Sequence, residues 1–107
     1  MGFTIGEMME MQEKLQEKYR NIWDELSPEK GRDKLLWTIG EIGEVIDIVK
    51  KNGEEKLMQS AALKEELVTE LADVLMYFNE ILMCYGISED ELKQAYTSKF
   101  KKNMERW

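Results

Sequence analysis

Histidine is absent from this 107-residue sequence, and cysteine occurs only once, at Cys84. The lack of histidine excludes Ser–His–Asp triads, Cys–His nucleophiles and nearly every kind of zinc site. Any catalysis must therefore use carboxylates, amines and metal-bound water. A single cysteine cannot form an internal disulfide, which is typical of reducing compartments. Because Cys84 lies in an apolar run over 81–85, we expect a buried structural thiol.

Proline and glycine are also scarce, with one and seven residues respectively. A chain with so few breaks favours long helices over many short strands. No window alternates apolar and polar residues for long, so no strand is predicted. We therefore expect an all-α fold, an antiparallel four-helix bundle that forms one domain over residues 1–107.

Long apolar segments are missing, since no stretch approaches the roughly 18 apolar residues of a membrane span. Charged residues from Glu7 to Lys14 interrupt any apolar core of a signal peptide. We therefore expect a cytoplasmic protein without a membrane partner. The formal charge of −7 also argues against nucleic acid as a partner. An acidic chain gains nothing from the counterion release that drives non-specific DNA binding.

Helix signals divide the chain into four predicted helices. Capping boxes open the first at Thr4 and the last at Ser88. Pro28 suits the first position of a short turn, and Gly53 ends the second helix. A polar connection over 54–60 precedes the third helix. The predicted helices cover about 4–26, 32–51, 61–85 and 88 to the C-terminus.

The third predicted helix is apolar on most of its circumference, which requires burial on every side. A four-helix monomer of this size supplies such burial poorly, so we expect a homodimer or a homotetramer. The apolar residues of this helix are Leu67, Val68, Leu71, Val74, Leu75, Met76, Phe78, Ile81 and Leu82.

Two acid pairs with the same spacing stand on the second and third predicted helices. They are Glu41 with Glu44 and Glu70 with Asp73, each at i, i+3 and therefore on one helix face. On a helical wheel, both pairs lie within apolar faces rather than on the solvent side. Unpaired carboxylates in such positions would repel one another and lose hydration.

Protonation, pairing with Lys or Arg, or a divalent cation would each relieve this repulsion. Alternatively, the acids lie at the rim of the bundle and form ordinary salt bridges. If a metal is bound, ligation by oxygen alone favours Mg²⁺, with Mn²⁺ as a substitute. Such ions usually bind substrate phosphates and activate a water molecule.

The pattern Glu41-x-x-Glu44 followed by Glu70-x-x-Asp73 resembles the E-x-x-E and E-x-x-D signature of the MazG-like all-α NTP pyrophosphatase superfamily. The surrounding segments are also similar to the sequences that typically surround these motifs in the family. They are Gly-Glu-Ile-Gly-Glu-Val and Glu-Leu-Ala-Asp-Val-Leu. The superfamily also includes dimeric dUTPases, dCTP pyrophosphatases and phosphoribosyl-ATP pyrophosphohydrolase. One departure is Gly40, where family members often carry a further acid.

This resemblance implies a MazG-like bundle, assembled as a homo-oligomer, that hydrolyses (deoxy)nucleoside triphosphates to the monophosphate and pyrophosphate. It implies that Glu41, Glu44, Glu70 and Asp73 bind Mg²⁺, which would bridge the triphosphate and activate the attacking water. Glu66, one turn before Glu70, would orient that water or act as a base, or it is a plain surface acid.

The fourth predicted helix gathers Tyr96, Lys99, Asn103 and Arg106 on one stripe, with Lys102 at its edge. Its basic and amide donors suit phosphate oxygens. The stripe also resembles the last helix of dimeric dUTPase-like relatives. Alternatively, it is a solvated basic end that interacts favourably with the helix dipole.

No motif predicts the nucleobase contacts, but four single residues could stack on a base or contact its edge. They are Trp37, Tyr77, Trp23 and Gln12. Each of them is more often a core or surface residue in proteins. A hypothesis from another functional class also stands beside the enzyme. In it, the chain is a non-catalytic helical interaction protein whose acids form salt bridges and whose dimer surface is the functional part.

Overall fold

The computed structural model describes residues 2–106 and contains five α-helices in this range. They are α1 (Ile5–Lys18), α2 (Pro28–Asn52), α3 (Glu54–Gln59), α4 (Ala61–Cys84) and α5 (Glu89–Arg106). No strand occurs between residues 2 and 106, so the all-α prediction is confirmed. None of the helices in that range is long and apolar enough to cross a membrane.

The first helix is capped as predicted but is shorter than predicted. The Thr4 hydroxyl accepts a hydrogen bond from the Glu7 backbone N–H, and the Glu7 carboxylate accepts one from the Thr4 N–H. The helix ends before Tyr19 rather than near residue 26. There the Tyr19 carbonyl accepts the Trp23 N–H, and the two rings stack at 4.6 Å. The spacing of apolar residues that predicted a longer helix therefore continues beyond the end of α1, into the turn that follows it.

The second helix begins at Pro28 rather than near residue 32. Proline has a fixed φ suited to the first helical turn, where its missing N–H is not needed. The helix ends at Asn52 because Gly53 adopts φ +80°, a conformation that L side chains rarely adopt. This end point agrees with the predicted stop.

The prediction of a polar connection over 54–60 is wrong, because Glu54–Gln59 forms the short helix α3. Leu57 is only 6% exposed and anchors this helix, which packs against α2 and α4. Acidic residues in its first turn also favour the helix dipole. A packed helix therefore joins the two helices that carry the acid pairs.

The main packing of the molecule is between α2 and α4, which run antiparallel. At one end, Gly31 lies against the Tyr85 ring, and an added Cβ would overlap that ring. Three further pairs mark the register in order along α2, namely Lys34–Glu80, Trp37–Tyr77 and Glu44–Glu70. Helix α1 lies on another side of α4, where Met8 meets Asn79 and Gln12 meets Glu80.

The last helix packs little against the rest of the chain described, residues 2–106. Its first turn lies beside the start of α1, where Glu89 meets Gly6. Leu92 is its half-buried residue, and the remainder of Glu89–Arg106 is exposed. Within one chain, the packed long helices are therefore α1, α2 and α4.

The buried apolar core of residues 2–106 is small and consists of Leu57, Leu82 and Cys84. Burial raises the pKa of the Cys84 thiol, and its 2% exposure confirms the predicted buried cysteine. The Cα radius of gyration is 16.5 Å, against about 13 Å for a compact domain of about 100 residues. The single chain is therefore extended, and few of its apolar side chains are buried.

An apolar face runs along α2 and α4 and stays exposed in the single chain. Monomeric proteins rarely expose a continuous apolar surface unless it is used for an interaction. On α2 the face consists of Leu35, Ile39, Ile42 and Ile46, and on α4 of Val68, Leu71 and Leu75. Burial of the third predicted helix on every side is thus not achieved within one chain.

Candidate active site

The acid pairs of α2 and α4 meet where the two helices face each other. Glu41, Glu44 and Glu70 each offer one carboxylate oxygen, and these oxygens all lie within 4.8 Å of one another. The i, i+3 spacing places both α2 acids on the side of the helix that faces α4. One divalent cation could accept all three oxygens as ligands.

Glu41 and Glu70 each have one carboxylate oxygen that is cut off from water. Oε2 of Glu41 and Oε2 of Glu70 are buried and accept no hydrogen bond from any residue between 2 and 106. A buried acceptor without a partner is costly in free energy. The ion pairs found in this part of the chain join other residues, namely Arg20–Glu17, Lys30–Asp24 and Lys34–Glu80. The salt-bridge alternative therefore finds no partner for the acid pairs within the described residues.

Lost hydration and neighbouring carboxylates both affect the pKa of the two half-buried acids, Glu41 and Glu70. Loss of hydration is the largest cause that raises the pKa of Glu41, and the neighbouring Glu44 carboxyl is the next. The same two causes, in the same order, raise the pKa of Glu70. The donors are all oxygen atoms and lack positive charge, so the site fits a hard divalent cation.

Asp73 and Glu66 extend the acid cluster along α4. The charge of half-buried Asp73 raises the pKa of both Glu41 and Glu70, so it lies close to them. Exposed Glu66 contributes in the same direction at Glu70. The structure thus groups the oxygens of Glu41, Glu44 and Glu70, with Asp73 and Glu66 near enough for their charges to act on these acids.

An aromatic pair lies one turn further along both helices. The rings of Trp37 and Tyr77 meet edge to face, with centroids 6.3 Å apart and planes at 74°. Trp37 is 53% exposed, whereas Tyr77 is half-buried. Burial, followed by the charge of Glu41, raises the pKa of Tyr77, so the phenol keeps its proton beside the acids.

A second polar group, which the sequence interpretation missed, lies next to the aromatic pair. Glu80 is buried on α4, where Oε2 lies 2.6 Å from Nζ of Lys34 and Oε1 accepts the Gln12 amide at 3.1 Å. Nζ of Lys34 also lies 4.7 Å from the Trp37 ring centroid. Helical spacing could have revealed this group, because Lys34 stands two turns before Glu41 on the same stripe.

Among residues 2–106, the other predicted binding residues lie in other contacts or on α5, which packs little against the helices of the acid cluster. Gln12 is buried and bonded to Glu80, and Trp23 stacks on Tyr19. The predicted phosphate-binding stripe is exposed on α5, which makes no substantial contact with α2 or α4 in residues 2–106. The stripe residues are Tyr96, Lys99, Lys102, Asn103 and Arg106.

Carboxylates on two antiparallel helices, with exposed aromatic surface beside them, define an all-α protein with a candidate site for a divalent cation. The sequence model of the MazG nucleotide pyrophosphohydrolase domain matches residues 30–106, and the chain belongs to this family. The match covers both acid pairs, so the predicted family membership is confirmed. No curated protein and no solved structure matches the chain.

Proposed function

We propose that the chain hydrolyses a (deoxy)nucleoside triphosphate to the monophosphate and pyrophosphate, with Mg²⁺ as cofactor and Mn²⁺ as a substitute. The observation that carries this proposal is the pair of buried oxygens of Glu41 and Glu70, which lack hydrogen-bond partners among residues 2–106. Family membership supports the reaction class, since the family is one of nucleotide pyrophosphohydrolases.

Four acids are the proposed ligands, namely Glu41, Glu44, Glu70 and Asp73. A bound Mg²⁺ supplies positive charge that attracts phosphate oxygens and favours ionisation of water. Water attacks the α-phosphorus, the bond to the bridging oxygen breaks, and pyrophosphate leaves. We assign Glu66 to accept the proton of the attacking water, because it is exposed and lies one turn from Glu70.

Trp37 and Tyr77 are the proposed contacts for the nucleobase. The half-exposed indole of Trp37 offers a flat apolar surface one turn from Glu41. Base–aromatic stacking contributes about 1–3 kcal/mol per base and tolerates different bases. Tyr77 supports the indole from its edge.

A second copy of the chain is the proposed occupant of the apolar face on α2 and α4. The small core and the extended shape of one chain support a homodimer, or a homotetramer built from two such dimers. Since α5 packs little against its own α2 and α4, we assign its stripe to the acid cluster of the second copy. Lys99, Lys102, Asn103 and Arg106 would there bind phosphate oxygens.

Pyrophosphate release tests the enzyme proposal directly. The purified protein is incubated with a panel of NTPs and dNTPs in Mg²⁺, with parallel reactions in EDTA and in Mn²⁺. We expect pyrophosphate from at least one nucleotide, with no release in EDTA. The Glu70→Gln variant, prepared in the same way, controls for contaminating hydrolases. Absence of pyrophosphate across the panel with both metals would reject the proposal.

The exposed apolar face also favours a second candidate, a non-catalytic interaction protein. In that case the chain associates with itself or a partner, and the acids have no metal. Thermal melting separates the two functions, because Mg²⁺ would then leave the melting temperature unchanged at millimolar concentration.

A further inference from the structure

The buried group formed by Gln12, Lys34 and Glu80, here called the Glu80 cluster, joins three helices at one carboxylate. Its three members come from α1, α2 and α4 respectively. Gln12 and Glu80 are 3% and 9% exposed, and Lys34 is half-buried. Oε1 of Glu80 accepts a hydrogen bond from Gln12 at 3.1 Å. Oε2 of Glu80 forms an ion pair with Lys34 at 2.6 Å but accepts no hydrogen bond from residues 2–106.

Stability alone does not explain an ion pair at this position. The cost of dehydrating two charges often exceeds their attraction, and apolar replacements of similar volume are frequently as stable. The position of Lys34 is more informative. Its Nζ lies 4.7 Å from the ring centroid of Trp37 and 5.8 Å from that of Tyr77.

The contacts form a chain from α1 to the exposed indole. Gln12 holds Glu80, Glu80 holds the Lys34 ammonium, and the ammonium lies over one face of Trp37. Tyr77 meets the same indole edge to face. A tryptophan that is 53% exposed would otherwise be free to change rotamer, so these contacts restrict its ring.

We propose that the Glu80 cluster is a positioning unit that fixes the Trp37 ring in place as the stacking surface for the nucleobase. This inference rests on the proposed nucleotide hydrolysis. Lys34 lies over one face of the indole, and the base stacks on its exposed surface. Since the ring is already ordered before nucleotide arrives, less conformational entropy is lost on binding.

The unit acts on binding rather than on the chemical step, because Lys34 is paired with Glu80 and not with the acid cluster. Loss of the cluster should therefore raise KM roughly 2- to 12-fold, the range expected when one side chain has to be ordered on binding. We expect kcat and the Mg²⁺ concentration at half-maximal activity to change less than about 2-fold, since no contact to reacting atoms is lost.

Three variants test the proposal. Lys34→Met alone leaves Glu80 buried without its cation. The double variant Lys34→Met/Glu80→Gln removes both charges and keeps an amide oxygen that accepts the Gln12 hydrogen bond. Lys34→Arg is the conservative variant, because a guanidinium also stacks on aromatic rings. Lys51→Met, an exposed lysine at the end of the same helix, is the matched control.

Two measurements are made on each variant. The near-UV circular dichroism of Trp37, taken as the difference from a matched Trp37→Phe protein, reports the order of the ring without nucleotide or metal. Steady-state kinetics then separate KM from kcat. We expect the double variant to lose most of the Trp37 signal and to raise KM, Lys34→Arg to restore both, and Lys51→Met to match the wild type.

An unchanged Trp37 signal and an unchanged KM in the folded double variant would overturn the proposal. A fall in kcat together with a shift in the Mg²⁺ requirement would also overturn it, because the cluster would then support the acids. A wild-type protein that releases no pyrophosphate would reject the proposed function, while the ring signal would still decide the positioning role.

Discussion

Glu41 of α2 and Glu70 of α4 each keep one carboxylate oxygen away from water, and neither oxygen has a hydrogen-bond partner in residues 2–106. Both acids lie beside Glu44, with the nearest oxygens of the three residues within 4.8 Å. Lost hydration, followed by the neighbouring Glu44 carboxyl, raises the pKa of Glu41 and of Glu70. A bound divalent cation would contact all three carboxylates and offset two of their three negative charges.

Neutralising one proposed ligand should separate activity from stability. Glu70→Gln keeps the size of the side chain, removes a ligand and reduces the repulsion among the acids. Changes in groups that only support metal ligands cost about 10–100-fold, so we expect kcat to fall by at least about 100-fold. The thermal midpoint should stay the same or rise.

The matched control is Glu65→Gln, because Glu65 is an exposed acid on the same helix. Both proteins are compared by pyrophosphate release and by thermal melting without metal. A large loss of melting temperature in Glu70→Gln, with little change in Glu65→Gln, would show that Glu70 stabilises the fold instead.

Stability without metal should decline as the pH rises from about 4.5. The pKa of Glu41 and of Glu70 is higher in the folded chain than in the unfolded one, so the folded chain binds more protons in this range. While the acids are protonated in both states, they leave the free energy of unfolding unchanged. Above the raised pKa, they lower the free energy of unfolding by their full amount.

Magnesium should reverse this trend, since protons compete with the cation for the same oxygens. At 100 times its Kd, Mg²⁺ stabilises by about 2.7 kcal/mol, or on the order of 10 °C for a chain of this size. We expect the full shift at pH 7.5 and a much smaller shift at pH 5, measured by differential scanning fluorimetry. Equal shifts at both pH values would contradict binding at these acids.

Much of the fold can be predicted from the sequence, because several helix boundaries depend only on residues that are neighbours in the chain. The cap at Thr4 and the stop at Gly53 depend on neighbouring residues alone, and both occur where predicted. Helix α3 was missed because Leu57 is fixed by packing against α2 and α4, which a local pattern does not contain. Helix α1 ends at Lys18, and Tyr19 and Trp23 stack in the turn that follows, where the apolar spacing continues without a helix.

The candidate site was predictable to a similar degree. An i, i+3 acid pair must share one helix face, so the grouping of Glu41 with Glu44 follows from spacing alone. The contact between Lys34 and Glu80 depends on the register of two helices. Sequence alone left that register open. The proposed placement of α5 beside the acids of a second copy depends on contacts between chains, which no local sequence pattern predicts.

Two inactive variants should restore activity when they are mixed, if α5 acts on the second copy. Glu70→Gln and Lys99→Ala are refolded together, which forms about half mixed dimers. One site of each mixed dimer then contains both defects and the other contains neither, so about a quarter of the wild-type activity should return.

The control mixture combines Glu70→Gln with Glu44→Gln, whose defects lie in the same acid cluster and leave every site impaired. Pyrophosphate release from the two mixtures is compared at equal protein concentration. If the mixture with Lys99→Ala stays as inactive as the control, α5 does not complete the site of a second copy.

A charge placed on the apolar face should break the proposed dimer. Ile39 is 66% exposed in the single chain, so Ile39→Asp costs little there and much in an interface. We expect sedimentation equilibrium to give the monomer mass for this variant. Ile22→Asp, the same change at an exposed residue outside the helices, should keep the mass of the wild type. Equal masses for both variants would place the interface elsewhere.

The small apolar core, formed in residues 2–106 by Leu57, Leu82 and Cys84, has a consequence for how the protein reaches its folded state. In the proposed homodimer, a chain that buries so little of its own apolar surface would couple folding to association. Its melting temperature would then depend on protein concentration, and dilution alone would promote unfolding. In a cell, the amount of protein synthesised would set how much of it is folded.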